Sequence, residues 1–121
     1  REAARVVAVR LNLRELTELP GRGQAMDDVP VVDWGFPAPG WRPGALEPEA
    51  NRCAVEWLKA AIACTQSGAV DGIVTCPINK EGIQAAGYKY MGHTEILADL
   101  TQTPEFRMSL FADDIRVVHI S

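Results

Sequence analysis

Apolar residues recur at intervals of three and four over residues 47–67, which is the period of an amphipathic helix with one apolar stripe. Pro48 suits the first turn of such a helix, and Gly68 suits the left-handed position after its last turn. The pattern therefore predicts a helix over 47–67, with its stripe and the thiols on that stripe facing the core. The stripe consists of Ala50, Cys53, Ala54, Trp57, Leu58, Ala61, Cys64 and Thr65.

Residues 69–76, "AVDGIVTC", form a short apolar run that follows a turn and is stopped by Pro77. Such a run is typical of a strand buried on both faces of a parallel sheet. A helix followed by a tight turn and a buried strand indicates a layered α/β protein.

Two short helices are predicted after this strand. The first covers residues 80–86 and is closed by Gly87. The second covers about 94–102, and either His93 or Thr94 is its first capping residue. We expect both helices to begin near the same edge of the sheet.

Strand patterns occur near both ends of the chain. Residues 5–13 are rich in Val and Leu and partly alternate, although residues 11–19 can also be read as the start of a helix. Residues 107–111 and 115–120, joined by 112–114, predict a β-hairpin. The predicted fold class is therefore α/β, layered α/β/α, with a C-terminal β-hairpin.

Residues 20–48 hold six of the eight prolines and several glycines, which predicts a long loop with a short strand at 29–34. Trp34, Phe36 and Trp41 lie in this segment. Their large apolar side chains require a partner surface, which is supplied either by packing or by a stacked ligand.

The composition limits the classes of function. A net charge of −4 without a run of Lys or Arg argues against a nucleic-acid or anionic-membrane surface. No apolar run reaches the roughly 20 residues of a membrane span, so a cytoplasmic protein is expected. Three cysteines without a CxxC pair predict reduced, buried thiols rather than disulfides or a zinc site.

The length of 121 residues is that of one domain. A start at Arg1 together with an end beside a strand predicts that 1–121 is a single partial α/β domain of a longer chain.

The stretch "TCPINK", residues 75–80, places polar groups where the predicted strand ends, which is the edge at which ligands bind in open α/β sheets. Asn79 and Lys80 at a helix start can hold a phosphate or carboxylate. The alternative is that Asn79 only caps the helix and Lys80 lies in solvent.

"GHTE", residues 92–95, has the same two interpretations, because His93 and Thr94 can either cap a helix or contact a ligand. His93 can also exchange a proton near neutral pH. Two polar helix starts separated by one short helix can direct donors into the same volume, which favours a site. His119 lies in a Val- and Ile-rich strand and is predicted to be structural.

The segments "PGALEPEANRCAVEWLKAAI", "GAVDGIVTCPINKEGI", "GHTEILADL" and "FADDIRVVHIS" occur in this order over residues 43–121. Together they resemble the middle of the 4-hydroxythreonine-4-phosphate dehydrogenases of pyridoxal phosphate biosynthesis, and the first 42 residues resemble it only loosely. The resemblance implies a fold like that of isocitrate and isopropylmalate dehydrogenases, which bind NAD without GxGxxG, a motif that is missing here as well. The implied reaction is NAD-dependent oxidation and decarboxylation of 4-phosphohydroxy-L-threonine, assisted by a divalent metal.

By the same resemblance, His93 and Thr94 contact substrate and Lys80 faces the same cleft. Some members of the family have histidine where Asn79 stands, which implies room for a different substrate. The metal ligands of the family lie outside this chain, so 1–121 alone is expected to be inactive, and the longer protein is expected to be a homodimer. Two alternatives stay open. One is a relative acting on a phosphorylated four-carbon sugar acid or a dihydrodiol acid, and the other is a non-catalytic fragment that serves assembly.

Overall fold

The computed structural model describes residues 10, 12–21, 28–36, 42 and 44–120, and these form three helices and two small sheets. The chain is therefore a mixed α/β structure. Its elements, in chain order, are β1 (Leu13–Leu16), β2 (Val29–Val32), α1 (Pro48–Gln66), α2 (Lys80–Ala85), α3 (His93–Leu100), β3 (Ser109–Ala112) and β4 (Ile115–Val118).

Helix α1 confirms the predicted helix over 47–67, with Pro48 in its first turn and Gly68 in the left-handed region at φ +75°. The apolar stripe, however, is rotated from the predicted one. Val55 and Ile62, which the prediction left out, are almost fully buried, whereas Trp57 is 44% exposed. The prediction that Trp57 faces the core is thus wrong, because the partner helices contact the adjacent face of α1.

The core is a small cluster at the junction of the three helices. Val55, Leu58 and Ile62 of α1 meet Ile83 of α2 and Ile96 of α3. Ile83 and Ile96 have no exposed surface. This cluster fixes how the helix starts at residues 80 and 93 lie relative to α1.

Helices α1 and α2 approach each other closely at Gly82, which is buried. A Cβ atom at this position would overlap the side chain of Asn51. The amide of Asn51 is itself held in place, because its Nδ2 donates to the Glu47 carbonyl oxygen at 2.8 Å. A side chain at position 82 would therefore displace the Asn51 amide from this hydrogen bond.

The predicted buried strand over 69–76 is not formed. Residues 72–76 make no backbone hydrogen bond with another described residue, and Val74 is fully exposed. Ile73 nevertheless packs against the helical core cluster. A strand requires neighbours that take its N–H and C=O groups, and none of the described segments pairs with this one through its backbone.

Strands β1 and β2 pair in parallel, with Leu13 opposite Val29 and Leu16 opposite Val32. The interpretation of residues 11–19 as a helix start is wrong for Leu13–Leu16, and the short strand predicted at 29–34 is present as β2. Most of the predicted strand over 5–13, together with Trp41, lies outside the described residues.

Strands β3 and β4 pair in antiparallel register around Asp113 and Asp114, with Leu110 opposite Val117 and Ala112 opposite Ile115. Among the described elements, this hairpin contacts no other helix or strand. Its residues are all exposed, including Leu110 at 47% and Ile115 at 66%.

In the described part of the chain, no helix has the length and hydropathy required to cross a membrane.

The three cysteines form no disulfide, and they differ in exposure. Cys53 is buried and Cys64 is half-buried, but Cys76 is exposed. The prediction of buried thiols is therefore wrong for Cys76, because the segment that carries it has no sheet neighbours.

Candidate functional site

The start of α2 is capped by Asn79, whose Oδ1 accepts a hydrogen bond from the Gly82 N–H at 2.8 Å. Asn79 has an extended backbone, as capping residues usually do, and its side-chain oxygen satisfies one of the free N–H groups in the first turn of α2. The capping interpretation of Asn79 is thus present in the structure. The side chain also borders a cavity of about 440 Å³ between α1 and residues 77–79.

Lys80 is exposed and makes no ion pair with another described residue. It is not among the residues that line the cavity beside Asn79 or the cavity beside His93. The structure therefore places its ammonium group in solvent, at the rim.

The start of α3 differs from the prediction, because its N-terminal capping position is Gly92 rather than His93 or Thr94. His93 is the first helical residue and Thr94 is the second. Gly92 has no side chain that can accept a hydrogen bond from the first turn of α3. His93 and Thr94 lie within the helix, so neither the imidazole nor the hydroxyl occupies the capping position. Both side chains are half-buried.

His93 lines a cavity of about 320 Å³ that separates α1 from the extended segment 73–78. Besides His93, the polar side chains on its walls are Thr75 and Cys76, and none of the lining residues that the structure describes carries a fixed charge. The remaining walls are apolar, formed by Ala54, Trp57, Leu58, Ala61, Ile73, Val74, Pro77 and Ile78. An imidazole at such a wall can direct one hydrogen bond to a ligand with little competition from other polar groups.

The cavities beside Asn79 and His93 adjoin each other, since Ala54, Pro77 and Ile78 border both. The two predicted helix starts therefore face neighbouring volumes rather than a single one. Thr94 lines neither cavity. The structure brings His93 and Asn79 to the two sides of Pro77–Ile78, and it leaves Thr94 and Lys80 outside the walls.

The prediction missed Trp57 as a wall residue because its spacing matched the apolar stripe of α1. Val55, Leu58 and Ile62 also have the spacing of a core stripe, on the adjacent face of α1, so spacing alone does not separate the two roles.

His119 lies just after β4, where its backbone N–H donates to the Met108 carbonyl oxygen at 3.0 Å. Its side chain is exposed. It lines neither cavity, and the described residues contain no group of three or more His, Cys, Asp and Glu side chains that can hold a metal ion.

A three-residue network ties the turn after α2 to α1. The Tyr88 hydroxyl donates to Glu56 Oε1 at 2.6 Å, and Lys59 Nζ donates to the same oxygen at 2.7 Å. Lys59 also lies 5.0 Å from the centre of the Tyr88 ring. Burial, together with the bond to the Glu56 carboxylate, raises the pKa of Tyr88 to about 12. Hydrogen bonds from Lys59 and Tyr88 lower the pKa of Glu56.

Replacing Tyr88 by phenylalanine should lower the free energy of unfolding by about 1 kcal/mol at pH 8, because the bond to Glu56 is lost. Since the pKa of Tyr88 is raised on folding, its contribution is complete below pH 10, the pKa of the unfolded phenol, and is lost as the pH rises towards 12. The difference between wild type and Tyr88→Phe should thus shrink between pH 10 and 11.5 in urea denaturation followed by circular dichroism.

The matched control is Tyr90→Phe, whose hydroxyl bonds to Asp99 at 2.6 Å on the exposed side of the molecule. Its loss should cost less stability than that of Tyr88. An equal cost for the two variants would contradict a role for the Tyr88 network in fixing the turn.

Comparison with known proteins places this chain in a family. The family model described as "Pyridoxal phosphate biosynthetic protein PdxA" matches residues 1–121. The chain belongs to the PdxA family. The expected resemblance to the 4-hydroxythreonine-4-phosphate dehydrogenases is therefore confirmed.

Relatives with two different names match this PdxA-family chain. It is 36% identical over 119 residues to a D-threonate 4-phosphate dehydrogenase of Cupriavidus necator, covering 98% of this chain and 36% of that protein. It is 39% identical over 90 residues to a 4-hydroxythreonine-4-phosphate dehydrogenase of Desulfosudis oleivorans, covering 74% of this chain and 24% of the relative.

A solved 4-hydroxythreonine-4-phosphate dehydrogenase from Klebsiella pneumoniae matches the chain with a TM-score of 0.77 and 36% identity, over 91% of this chain and 34% of that one. The chain thus spans about a third of the length of these relatives. The named activities belong to proteins about three times as long.

Proposed function

We propose that this chain forms one wall of the substrate site in an NAD-dependent dehydrogenase that oxidises a phosphorylated four-carbon acid in the cytoplasm. The preferred substrate is D-threonate 4-phosphate. The observation that carries this choice is the match over 98% of the chain to a relative named for that substrate. Oxidation of 4-phosphohydroxy-L-threonine is the second candidate, supported by the name of the Desulfosudis relative.

His93 is the residue proposed to contact the reacting part of the substrate. It lies half-buried on an uncharged cavity wall, so its imidazole can hydrogen-bond a substrate oxygen without a competing ion pair. An imidazole can also donate a proton to that oxygen or accept one from it. Thr94 adds a hydroxyl one residue further into α3, as the family resemblance implies.

Asn79 and Lys80 are proposed to meet the phosphate or carboxylate at the rim. The side-chain oxygen of Asn79 caps α2, so the NH₂ group of the same amide is left to donate to a ligand. The exposed ammonium of Lys80 is free to move on its long side chain and to supply positive charge.

The donor set of the described residues does not fit a metal site, because no three His, Cys, Asp or Glu side chains are grouped. The sequence also lacks the Gly-rich dinucleotide fingerprint. If the longer protein uses a divalent metal and NAD, other residues hold them, and the role of this chain is to bind and orient the substrate.

We further propose that the longer protein has the layered α/β/α fold of the isocitrate and isopropylmalate dehydrogenases, including the hairpin, and forms a homodimer. The exposed apolar side chains of the hairpin support a larger assembly. Light scattering of the longer protein should give twice the chain mass, and a monomer at micromolar concentration would contradict the dimer.

The test is NADH formation by a full-length form of the protein, with a divalent metal, on the two substrates in parallel. We expect kcat/KM to be at least about tenfold higher for D-threonate 4-phosphate, since relatives of one fold discriminate substrates through a few pocket contacts. Turnover of 4-phosphohydroxy-L-threonine alone would replace the first candidate by the second. No turnover of either substrate by folded protein would overturn the proposed function and favour an assembly role.

A further inference from the structure

We propose that Asn51 of α1 is a positioning residue, which holds the amide of Asn79 in place for the substrate by acting through Gly82. The inference rests on the proposed function, because it concerns the same rim of the site. Asn51 and Asn79 belong to different helices, but both line the cavity of about 440 Å³ beside residues 77–79.

The side chain of Asn51 is fixed by the beginning of its own helix. Its Nδ2 donates to the Glu47 carbonyl oxygen at 2.8 Å, and its backbone N–H donates to the same oxygen at 3.1 Å. Glu47 is the capping residue of α1, and its carboxylate pairs with Arg42 at 3.2 Å. The Asn51 amide therefore has a defined place on the wall between the two helices.

The same amide lies directly against the backbone of α2. A Cβ atom on Gly82 would overlap the Cγ, Oδ1 and Nδ2 atoms of Asn51. The Gly82 N–H in turn donates to Asn79 Oδ1 at 2.8 Å. Asn51 thus contacts the residue that holds the oxygen of the Asn79 side chain, and this bond leaves the NH₂ group of Asn79 for the ligand.

Helix α2 depends on such contacts for its position. It has only six residues, Lys80–Ala85, which is too short to be stable through its own backbone bonds. Ile83 anchors it in the buried cluster, and Gly82 contacts α1 at the end nearest Asn79. Removing the Asn51 amide should therefore loosen the start of α2, while the cluster keeps the helix in place. Binding groups need this kind of support to hold a productive geometry.

The first variant is Asn51→Ala in the full-length protein. Hydrogen exchange at the Gly82 amide, followed by NMR, should become about tenfold faster, because the capping bond opens more often without its support. KM for the phosphorylated substrate should rise about fivefold, the loss expected for one hydrogen bond, with kcat nearly unchanged. This division is expected because Asn79 is proposed to bind at the rim and not at the reacting part.

The matched control is Gln66→Ala. Gln66 is also on α1, and its Nε2 donates to the Leu100 carbonyl oxygen at 3.2 Å, so this amide ties α1 to α3 instead of α2. It lines neither the cavity beside Asn79 nor the cavity beside His93. Gln66→Ala should keep wild-type KM and wild-type exchange at Gly82.

A double-mutant cycle tests the contact itself. Replacing glycine by alanine inside a helix normally stabilises it. In the wild-type background, Gly82→Ala should instead lower the melting temperature by roughly 3–6 °C, because the new methyl group overlaps Asn51. In the Asn51→Ala background the methyl group has room, so the same replacement should raise the melting temperature or leave it unchanged.

An equal loss of melting temperature from Gly82→Ala in both backgrounds would overturn the proposal. Wild-type KM or wild-type exchange at Gly82 in Asn51→Ala would also overturn it. If the wild-type protein turns over neither substrate, the proposed function fails. The exchange rate and the melting temperatures then still decide whether Asn51 positions Asn79, because neither measurement uses a substrate.

Discussion

Replacing His93 by alanine in the full-length protein should lower kcat by about 100-fold or more, the loss expected when a group that exchanges a proton with the substrate is removed. The melting temperature should change little, because His93 is half-buried and lies outside the buried cluster. The measurement is steady-state NADH formation on the preferred substrate, together with a thermal melt of the same preparation.

The matched control is His119→Ala, because the chain has only these two histidines. The His119 side chain is exposed and lines neither cavity. We expect this variant to keep wild-type turnover. If His93→Ala retains wild-type kcat while remaining folded, the cavity beside it is not the substrate site.

The second large effect concerns stability. Ile83→Ala should lower the free energy of unfolding by about 2–4 kcal/mol, since it removes a side chain with no exposed surface from the junction of the helices. This is a large share of the roughly 5–15 kcal/mol that stabilises a typical domain. Urea denaturation followed at 222 nm measures the change.

Val74→Ala is the control for that experiment, because it also shortens a β-branched side chain but at a fully exposed position. Its effect on the 121-residue chain should stay within about 0.5 kcal/mol. A cost for Val74→Ala as large as that for Ile83→Ala would show that the Val74 side chain is buried in solution, which contradicts its full exposure.

The helices could be predicted from the sequence because their signals are local. Pro48, Gly68, Asn79 and Gly87 mark their ends through backbone preferences that need no distant partner. The face that α1 buries depends on where α2 and α3 pack, and the two adjacent apolar stripes on α1 do not decide this by spacing alone. Spacing alone therefore predicts a core stripe that includes Trp57 and omits Val55 and Ile62.

Whether residues 69–76 form a strand could not be predicted in the same way. Apolar composition indicates that a segment suits a sheet, but the sheet itself is made by hydrogen bonds to other segments. The same limit applies to the candidate site, whose role in binding stays a prediction. Asn79 and His93 were identified by their positions at helix starts, whereas the cavity walls and the exposure of Lys80 depend on tertiary packing.

Pro77 sets a limit on any strand that adds to residues 72–76 in a longer protein. Proline has no N–H to donate, so a ladder running along this segment loses a donor at residue 77. Successive N–H groups of an extended segment point to opposite sides, so the loss falls on the side that carries residues 73, 75 and 77. A strand added on that side finds one donor fewer than a strand added on the other, and Pro77 thus makes the two sides of this segment unequal as sheet partners.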